Sequence, residues 1–386
     1  MKTYELTAPC HFGLEAVLKR EIYDLGYEIT RVENGRVSFS GDAEAIALAN
    51  IHLRTAERVF LKVGEFEAVT FDDFFNHIEA LPWENYIPAD GKFWVTKAAS
   101  VKSQLFSTSD LQSLAKKAMA KRLGAAYGMD WLPETGAPYP VRIFFMNDVA
   151  EVFLDTTGTS LHKRGYRKLE GEAPISETLA AALIMLTPWH ADRILLDPFC
   201  GSGTIPIEAA MIAANIAPGL QRSFTAEQWG NIIHKDIWSS ARADAYAAID
   251  TSVETDIQGY DIDDDVVKIA RANAEAAGVD DMIHFQRRAV ADASHPKKYG
   301  FIVTNPPYGE RLTEGGGGLD LPALYRQIGE AYRGLDSWSM YLITSYEDAE
   351  KYIGAKADKN RKIYNGMIKT YFYQYLGPKP PKRKRE

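Results

Sequence analysis

Cysteine is all but missing from this chain: two occur in 386 residues, Cys10 and Cys200. So small a number excludes a disulfide framework and a cysteine-built metal site. The eight histidines are scattered, with no ligand spacing such as HExxH, and no metal is expected. Long apolar runs are lacking too. The longest, Leu179 to Leu186, is alanine-rich, helical in character and far short of the roughly 18 residues of a membrane span. The start of the chain carries Glu5, His11, Glu15, Lys19, Arg20 and Glu21, which leaves no apolar core for a signal peptide. A cytoplasmic protein off the membrane is the expectation. Positive charge is in deficit as well: the formal net charge is -8, so the total advertises no nucleic-acid partner.

What cations there are lie in clusters. Lys97, Lys102, Lys116, Lys117, Lys121 and Arg122 share one segment, His162, Lys163, Arg164, Arg167 and Lys168 a second, and Lys379 to Arg385 form a basic tail. Charge runs are commonly solvated faces, so these are candidates only. The chain is 46% hydrophobic and 25% charged, a globular make-up whose length suggests two or three domains. Up to about residue 155, strands alternate with helices and no glycine-rich loop occurs. Leu14, Val17, Leu18, Ile22 and Leu25 have helical spacing over 12–26, and Asn34-Gly35 marks a hairpin over 27–40. Strands are expected at 59–66 and 92–98 and in a hairpin over 141–154 turning at Asn147-Asp148, with helices at 71–80 and 109–123. This predicts an α+β region of two small sheets, each covered by helices on one side.

From about residue 170 the order becomes strand, loop, helix, repeated. Short apolar runs at 193–197, 257–261, 283–286, 301–305 and 340–344 predict an α/β, Rossmann-like domain with a mostly parallel, doubly wound sheet. Strands at 362–364 and 367–375 around Asn365-Gly366 add a terminal antiparallel strand. Residues 221–256 form a long insertion between the first helix and the second strand of this domain.

The stretch LLDPFCGSGTIPIEAA, from Leu195, reads as a strand, a glycine turn and a helix. Such a turn lets backbone N–H groups approach a ligand and presents a helix N-terminus to negative charge. A dinucleotide fingerprint requires glycine where Pro206 stands, and no GK[ST] follows for a P-loop. Asp197, Pro198, Phe199, Gly201, Ser202, Gly203 and Thr204 instead resemble motif I of the class I S-adenosylmethionine (SAM) methyltransferases. A carboxylate closing the second strand, Asp261, can accept the ribose hydroxyls, with Ile262 beside it. The resemblance also implies an acid on strand three that holds the adenine amino group. Ala289 stands at the aligned position, and Asp292 is the acid at hand.

Strand four closes on Asn305, Pro306, Pro307 and Tyr308, which resembles motif IV of the amino-methyltransferases. An exocyclic amine conjugated to its ring is a poor nucleophile and must be oriented. The Asn305 oxygen and the Pro306 carbonyl can accept its two hydrogens, Pro-Pro stiffens the backbone, and Tyr308 offers a face for stacking worth about 1–3 kcal/mol. Methylation at a pyrimidine C5 needs a cysteine near this motif. Cys200 lies in the glycine loop instead and is expected to be a small packing residue.

Adding LHKRGYR at 161–167 and APISETLAAALI at 173–184, the whole chain resembles the bacterial THUMP-domain RNA methyltransferases, specifically the 23S rRNA guanine-N2 family. That resemblance implies a ferredoxin-like piece at 1–60, a THUMP domain at 61–155 that grips RNA, a linker strand at 156–170, a SAM-dependent domain at 171–378 and a basic tail at 379–386. It implies RNA, 23S rRNA or a ribosomal assembly intermediate, as partner, and no protein partner. By the same resemblance Lys163, Arg164 and Arg167 face the RNA, and from the charge cluster of the N-terminal module Lys97 and Lys102 are expected to contact phosphates. Ser176, Glu177 and Thr178 then begin a helix beside the cofactor or form an ordinary N-cap. Some relatives fuse a second methyltransferase domain; here a single modification is expected, and a fragment from Gly171 is expected to fold. The alternatives are an adenine-N6 methyltransferase of DNA or RNA and a non-catalytic RNA-binding assembly factor.

Overall fold

The computed structural model describes residues 2–167, 175–308, 320–366 and 368–381. Lys168 and the tail cations from Lys382 to Arg385 lie outside the described residues. The chain forms two compact units, neither of them a continuous stretch. One holds Met1–Pro9, Lys19–Leu161 and Arg222–Asp244; the other holds Cys10–Leu18, His162–Gln221 and Ala245–Glu386.

In chain order the first part of the molecule comprises β1 (Tyr4–Pro9), α1 (Glu15–Asp24), β2 (Glu28–Glu33), β3 (Arg36–Gly41), α2 (Ala43–His52), β4 (Phe60–Glu67), α3 (Phe71–Ala80), β5 (Lys92–Val101), α4 (Thr108–Tyr127), β6 (Pro138–Met146) and β7 (Val149–Asp155). These strands build one seven-stranded sheet, β2-β3-β1-β4-β7-β6-β5, where two small sheets were expected. The join is narrow: β1 meets β4 through Leu6↔Leu61 and Thr7↔Phe60. Asn147 and Asp148 both take positive φ, 51° and 64°, which a two-residue hairpin turn demands. The unexpected helix α2 has Ala45, Ile46, Ala47, Ala49, Asn50 and Ile51 all buried, so it lacks the polar face that sets a helical period.

Part of the long insertion belongs to this same unit. Trp229 is buried and stacks on Tyr139 with ring centroids 5.0 Å apart, and its Nε1 donates to the Pro138 carbonyl at 2.7 Å. Asn231 accepts from the Tyr139 hydroxyl at 2.7 Å and donates to the Tyr86 carbonyl at 2.7 Å.

The second part comprises α5 (Glu177–Met185), β8 (Leu195–Asp197), α6 (Thr204–Ala213), α7 (Lys235–Ala247), β9 (Ile257–Asp261), α8 (Asp264–Ala277), β10 (Ile283–Arg287), β11 (Phe301–Thr304), α9 (Leu321–Gly334), β12 (Ser339–Thr344), α10 (Ala349–Ile353), β13 (Lys359–Asn365) and β14 (Ile368–Tyr375). Its sheet has the order β10-β9-β8-β11-β12-β14-β13. Neighbours from β10 to β12 pair in parallel; β14 is antiparallel to β12 and to β13 and lies between them. The first β-α turn and the ends of β9, β10 and β11 therefore share one edge, the carboxyl edge, where doubly wound sheets bind ligands. Among the described residues no helix is long and apolar enough to cross a membrane.

The second sheet also packs against residues from the start of the chain. Gly13 takes φ +93°, and a Cβ there would lie 2.5 Å from the Lys362 carbonyl oxygen, so only glycine lets the segment lie against β13. Arg361 donates to the Gly13 carbonyl at 2.9 Å, and His11 Nδ1 donates to the Tyr364 carbonyl at 2.9 Å. Residues 162–167 are held inside the same unit by charge. Arg164 (2% exposed) meets Glu208 (0%) at 3.4 Å, and Arg167 meets Glu177 at 3.3 Å.

A fragment starting at Gly171 loses Arg164 and Arg167 and leaves two buried carboxylates without countercharge. Breaking a buried pair by removing one partner costs about 3–5 kcal/mol. The fragment is therefore expected to be insoluble or to melt well below the full chain in thermal unfolding. A cooperative transition at the full chain's temperature overturns this.

Candidate active site

The glycine loop is shaped by backbone bonds to its neighbours. Cys200 N donates to the Tyr260 carbonyl at 2.8 Å, Gly203 N to the Cys200 carbonyl at 2.8 Å, and Asn273 Nδ2 to the Ser202 carbonyl at 3.0 Å. Gly201 and Gly203 take positive φ, 54° and 85°, for different reasons. A Cβ on Gly201 would find nothing within 4 Å, whereas one on Gly203 would press on Ala270 and Phe285, both at 3.1 Å. The first glycine faces open space, and the second packs the turn against α8 and β10. Thr204 then opens α6.

Asp261 closes β9 beside this loop. Its Oδ2 accepts from Gly201 N at 3.1 Å and its Oδ1 from Asp263 N at 3.0 Å. Next to it a cleft of about 550 Å³ is lined by Ile262, Gln286, Arg287, Arg288, Ala289 and Asp292. Ile262 is 70% exposed, an apolar side chain set against the opening. A carboxylate, an exposed apolar wall and the open space over Gly201 fit the ribose, the base and the amino-acid part of SAM. Of the two residues weighed for the adenine amine, both line this cleft, and Asp292 is the one with a carboxylate.

The carboxyl ends of β8 and β11 are tied to each other. Thr304 Oγ1 donates to Asp197 Oδ1 at 2.7 Å, and Phe199 N donates to the same oxygen at 3.1 Å; Asp197 and Thr304 are both buried. Burial, helped by the nearby Asp261 charge, pushes the Asp197 carboxyl up to about 7. Burial and then the Asp197 and Asp261 charges push the Cys200 thiol well above its ordinary value. Cys200 is thus a packed thiol and no nucleophile at neutral pH.

Asn305 follows Thr304 directly. Its Oδ1 is buried and accepts no hydrogen bond among the described residues, an acceptor left over once their donors are spent. Pro306 is buried, while Pro307 and Tyr308 are half-buried. The loop is held from both sides. Tyr325 of α9 donates to the Pro307 carbonyl at 3.4 Å and shares a 2.6 Å hydrogen bond with Thr344 of β12. Burial raises the Tyr325 hydroxyl above its ordinary value, so it stays a donor. Asn365 Nδ2 donates to the Tyr308 hydroxyl at 3.1 Å.

The cations assigned from the sequence divide sharply. Lys97 and Lys102 are exposed on and just after the edge strand β5, and Lys163 is exposed. Lys116, Lys121 and Arg122 are paired with Glu134, Glu79 and Glu84. Arg164 and Arg167 correct the expectation of an RNA-facing cluster. Arg164 is buried against Glu208, which also accepts from the Tyr166 hydroxyl at 3.1 Å. Arg167 donates to Thr204 Oγ1 at 2.6 Å and to the Ile175 carbonyl at 2.9 Å, bracing the helix behind the glycine loop. Ser176 is the N-cap of α5, accepting from Leu179 N. Sequence reasoning missed Thr304, Tyr325, Asn365 and Gly13. The first two sit on a strand end and a helix with no motif spacing to mark them, and the last two act only through pairings distant in sequence.

Three family descriptions match successive parts of the chain: "RlmL ferredoxin-like domain" over residues 5–60, "THUMP domain" over 68–155 and "RMKL-like, methyltransferase domain" over 164–374. Of similar proteins, "Putative RNA methyltransferase YpsC" of Bacillus subtilis is 48% identical across 100% of this chain and 99% of its own length. "Ribosomal RNA large subunit methyltransferase K/L" of Psychromonas ingrahamii is 33% identical over 97% of this chain, which spans only 50% of that protein. The crystal structure of SMU.472 complexed with SAH superposes with a TM-score of 0.93 at 42% identity, covering 99% of this chain and 100% of that one.

Asp197 makes the unliganded site sensitive to pH. A carboxyl whose folded value is raised from 3.8 to about 7 contributes stability that is complete below the lower value and lost as pH rises through the upper one, by up to about 1.4 kcal/mol per pH unit between them. Asp197→Asn keeps an Oδ1 for Thr304 and Phe199 and carries no charge. Its melting temperature relative to the natural protein, without ligand, is expected to rise from pH 5 to pH 8. A difference that stays flat over that range removes the buried charge from the account.

Proposed function

This chain belongs to the RMKL-like methyltransferase family, and from that membership we propose that it is a SAM-dependent RNA methyltransferase acting on an exocyclic base amine, namely guanine N2 of 23S rRNA. The observation that carries this reading is the buried, unsatisfied Asn305 Oδ1 at the carboxyl edge, one residue beyond the Thr304–Asp197 bond to the glycine loop. A buried acceptor without a donor costs about 1–3 kcal/mol, and an amine hydrogen arriving with the substrate satisfies it.

SAM supplies the methyl group. The chain's residues do the rest. Asp197, Pro198, Phe199, Gly201, Ser202, Gly203 and Thr204 form the turn under the cofactor's amino-acid part, Asp261 accepts from the ribose hydroxyls, and Ile262 and Asp292 border the adenine. Asn305 Oδ1 and the Pro306 carbonyl take the two amine hydrogens and aim the nitrogen lone pair, while Pro307 keeps that carbonyl in place through the bond from Tyr325. Tyr308, pinned by Asn365, stacks on the base. No strong general base is required, because the departing proton becomes acidic only after the methyl has moved. Outside the catalytic unit, Lys97 and Lys102 on the exposed edge of the THUMP match serve as phosphate contacts.

The deciding experiment is transfer of labelled methyl from SAM to rRNA of a strain lacking the protein, followed by nucleoside analysis. N2-methylguanosine is expected. Label in N6-methyladenosine moves the activity to the other amine, and label absent from every RNA sinks the reading.

Two variants test the roles within it. Asp261→Ala is expected to weaken SAM binding by about 2–4 kcal/mol through loss of two charge-assisted hydrogen bonds, with the circular dichroism spectrum unchanged; unaltered affinity by calorimetric titration takes Asp261 out of the site. For Asn305→Ala the expected pattern is the reverse, SAM affinity within about twofold and turnover down more than tenfold, at least about 1.4 kcal/mol of barrier. Turnover above a tenth of normal means that Asn305 does not orient the amine.

A further inference from the structure

With Arg164 and Arg167 committed to buried carboxylates, the catalytic unit must grip its substrate with other groups, and the C-terminal hairpin has them. The register pairs Lys362 with Tyr371 and Tyr364 with Lys369, so alternation along the strands brings all four to one face. On the opposite face Ile363, Thr370 and Phe372 are fully buried. On the first face Lys362 and Lys369 are exposed and both tyrosines half-buried. Each lysine lies over a ring: Lys362 Nζ is 5.0 Å from the Tyr364 centroid and Lys369 Nζ 5.0 Å from that of Tyr371. Phe12, 40% exposed, meets Tyr364 edge-on with centroids 5.7 Å apart.

The location of this face gives it meaning. Thr304 at the end of β11 pairs with Leu342, and Thr344 at the end of β12 pairs with Tyr371. Because β14 runs the other way, its residues 368–370 continue about 10 Å beyond the carboxyl edge. At that tip Asn365 bonds the hydroxyl of Tyr308. The hairpin therefore projects past the level of Asn305, with its tip bonded to Tyr308.

We propose that the tip of the β13–β14 hairpin, with Lys362, Tyr364, Lys369 and Tyr371 on one face and Phe12 packed against it, binds the nucleotides flanking the target base in single-stranded RNA. Rings can stack only on bases free of a duplex, and cations alternating with rings match the alternation of phosphate and base along a single strand. This rests on the RNA reading above and adds to it a site and a strandedness. Gly13 is the backbone condition for the arrangement, since a side chain there would push Phe12 away from Tyr364.

The test uses the full chain and a fluorescein-labelled single-stranded RNA of about 12 nucleotides, with a duplex RNA of equal length alongside. The charge reversal K362E/K369E touches two exposed side chains and is expected to weaken single-strand binding at least tenfold. It should also make the log–log salt slope shallower by about 1.4, two phosphates at about 0.7 each. Y364L is expected to weaken binding more than fivefold while Y364F holds it within about twofold, a distinction that packing alone does not make. SAM affinity stays the same throughout. The site is overturned by unchanged affinity and slope in K362E/K369E, by Y364F failing as Y364L does, or by equal losses on the duplex. Because binding is read without methyl transfer, a natural protein that binds but never methylates counts against the activity alone. A variant that binds normally while the natural protein methylates RNA counts against the hairpin alone.

Discussion

One buried hydrogen bond, from Thr304 Oγ1 to the Asp197 carboxylate, sets the relation between the two motifs of the site. β8 and β11 are neighbours joined by just two register pairs, Phe301↔Leu195 and Ile302↔Leu196, and both strands end a residue or two later. Past that point the sheet ladder no longer holds them. The carboxylate takes over, accepting from Thr304 on one side and from Phe199 N on the other. The distance from the glycine loop to Asn305 is thus fixed by side-chain chemistry where backbone pairing stops. A shift of one ångström there is enough to spoil the alignment of reacting groups. The cost is a carboxyl group in a place that disfavours its charge, and the protein tolerates it where precision is needed.

A second layer of buried charge stands behind the first. Arg164, Tyr166 and Arg167 converge on Glu208 and Glu177, the one carboxylate inside α6 and the other in the first turn of α5. Thr204, the first residue of α6, accepts from Arg167. Pairs of this kind contribute little net stability compared with apolar packing, yet removing one partner is expensive. They hold the chain leading into the catalytic unit in a single arrangement relative to the glycine loop. The same cations, seen only as sequence, make a plausible phosphate grip.

The limits of the sequence reading follow from this. Turn chemistry was legible because it is local: Asn34-Gly35 and Asn147-Asp148 mark hairpins by their own backbone preferences, and the hydrophobic runs from 193 to 344 announced the parallel sheet. The glycine loop and NPPY were legible as local motifs in the same way. The partners that hold them were not, since Thr304, Tyr325 and Asn365 matter only through residues 107, 18 and 57 positions away. Burial was equally hidden. A cation's neighbours in sequence say nothing about a carboxylate on a helix 44 residues downstream. The single N-terminal sheet escaped for the same reason, because it depends on a short pairing between β1 and β4 that no pattern within either strand records. Helix α2 escaped because most of its positions are buried and Glu44 alone is fully exposed.

Net charge, in the end, describes this molecule poorly. An excess of acid argued against a polyanionic partner, but many of the acids are occupied. Glu79, Glu84, Glu134, Asp155, Glu177 and Glu208 are each paired with a cation, and the field that a polyanion meets is set by what remains unpaired and exposed. At the carboxyl edge that remainder includes the lysines of the β13–β14 hairpin, each over its own tyrosine ring. A lysine already held over a ring costs little conformational freedom when a phosphate arrives. The ring beneath it presents a π-face to a base in the same step. An acidic protein can therefore meet a polyanion through local clusters of exposed cations, whatever the sign of its total charge.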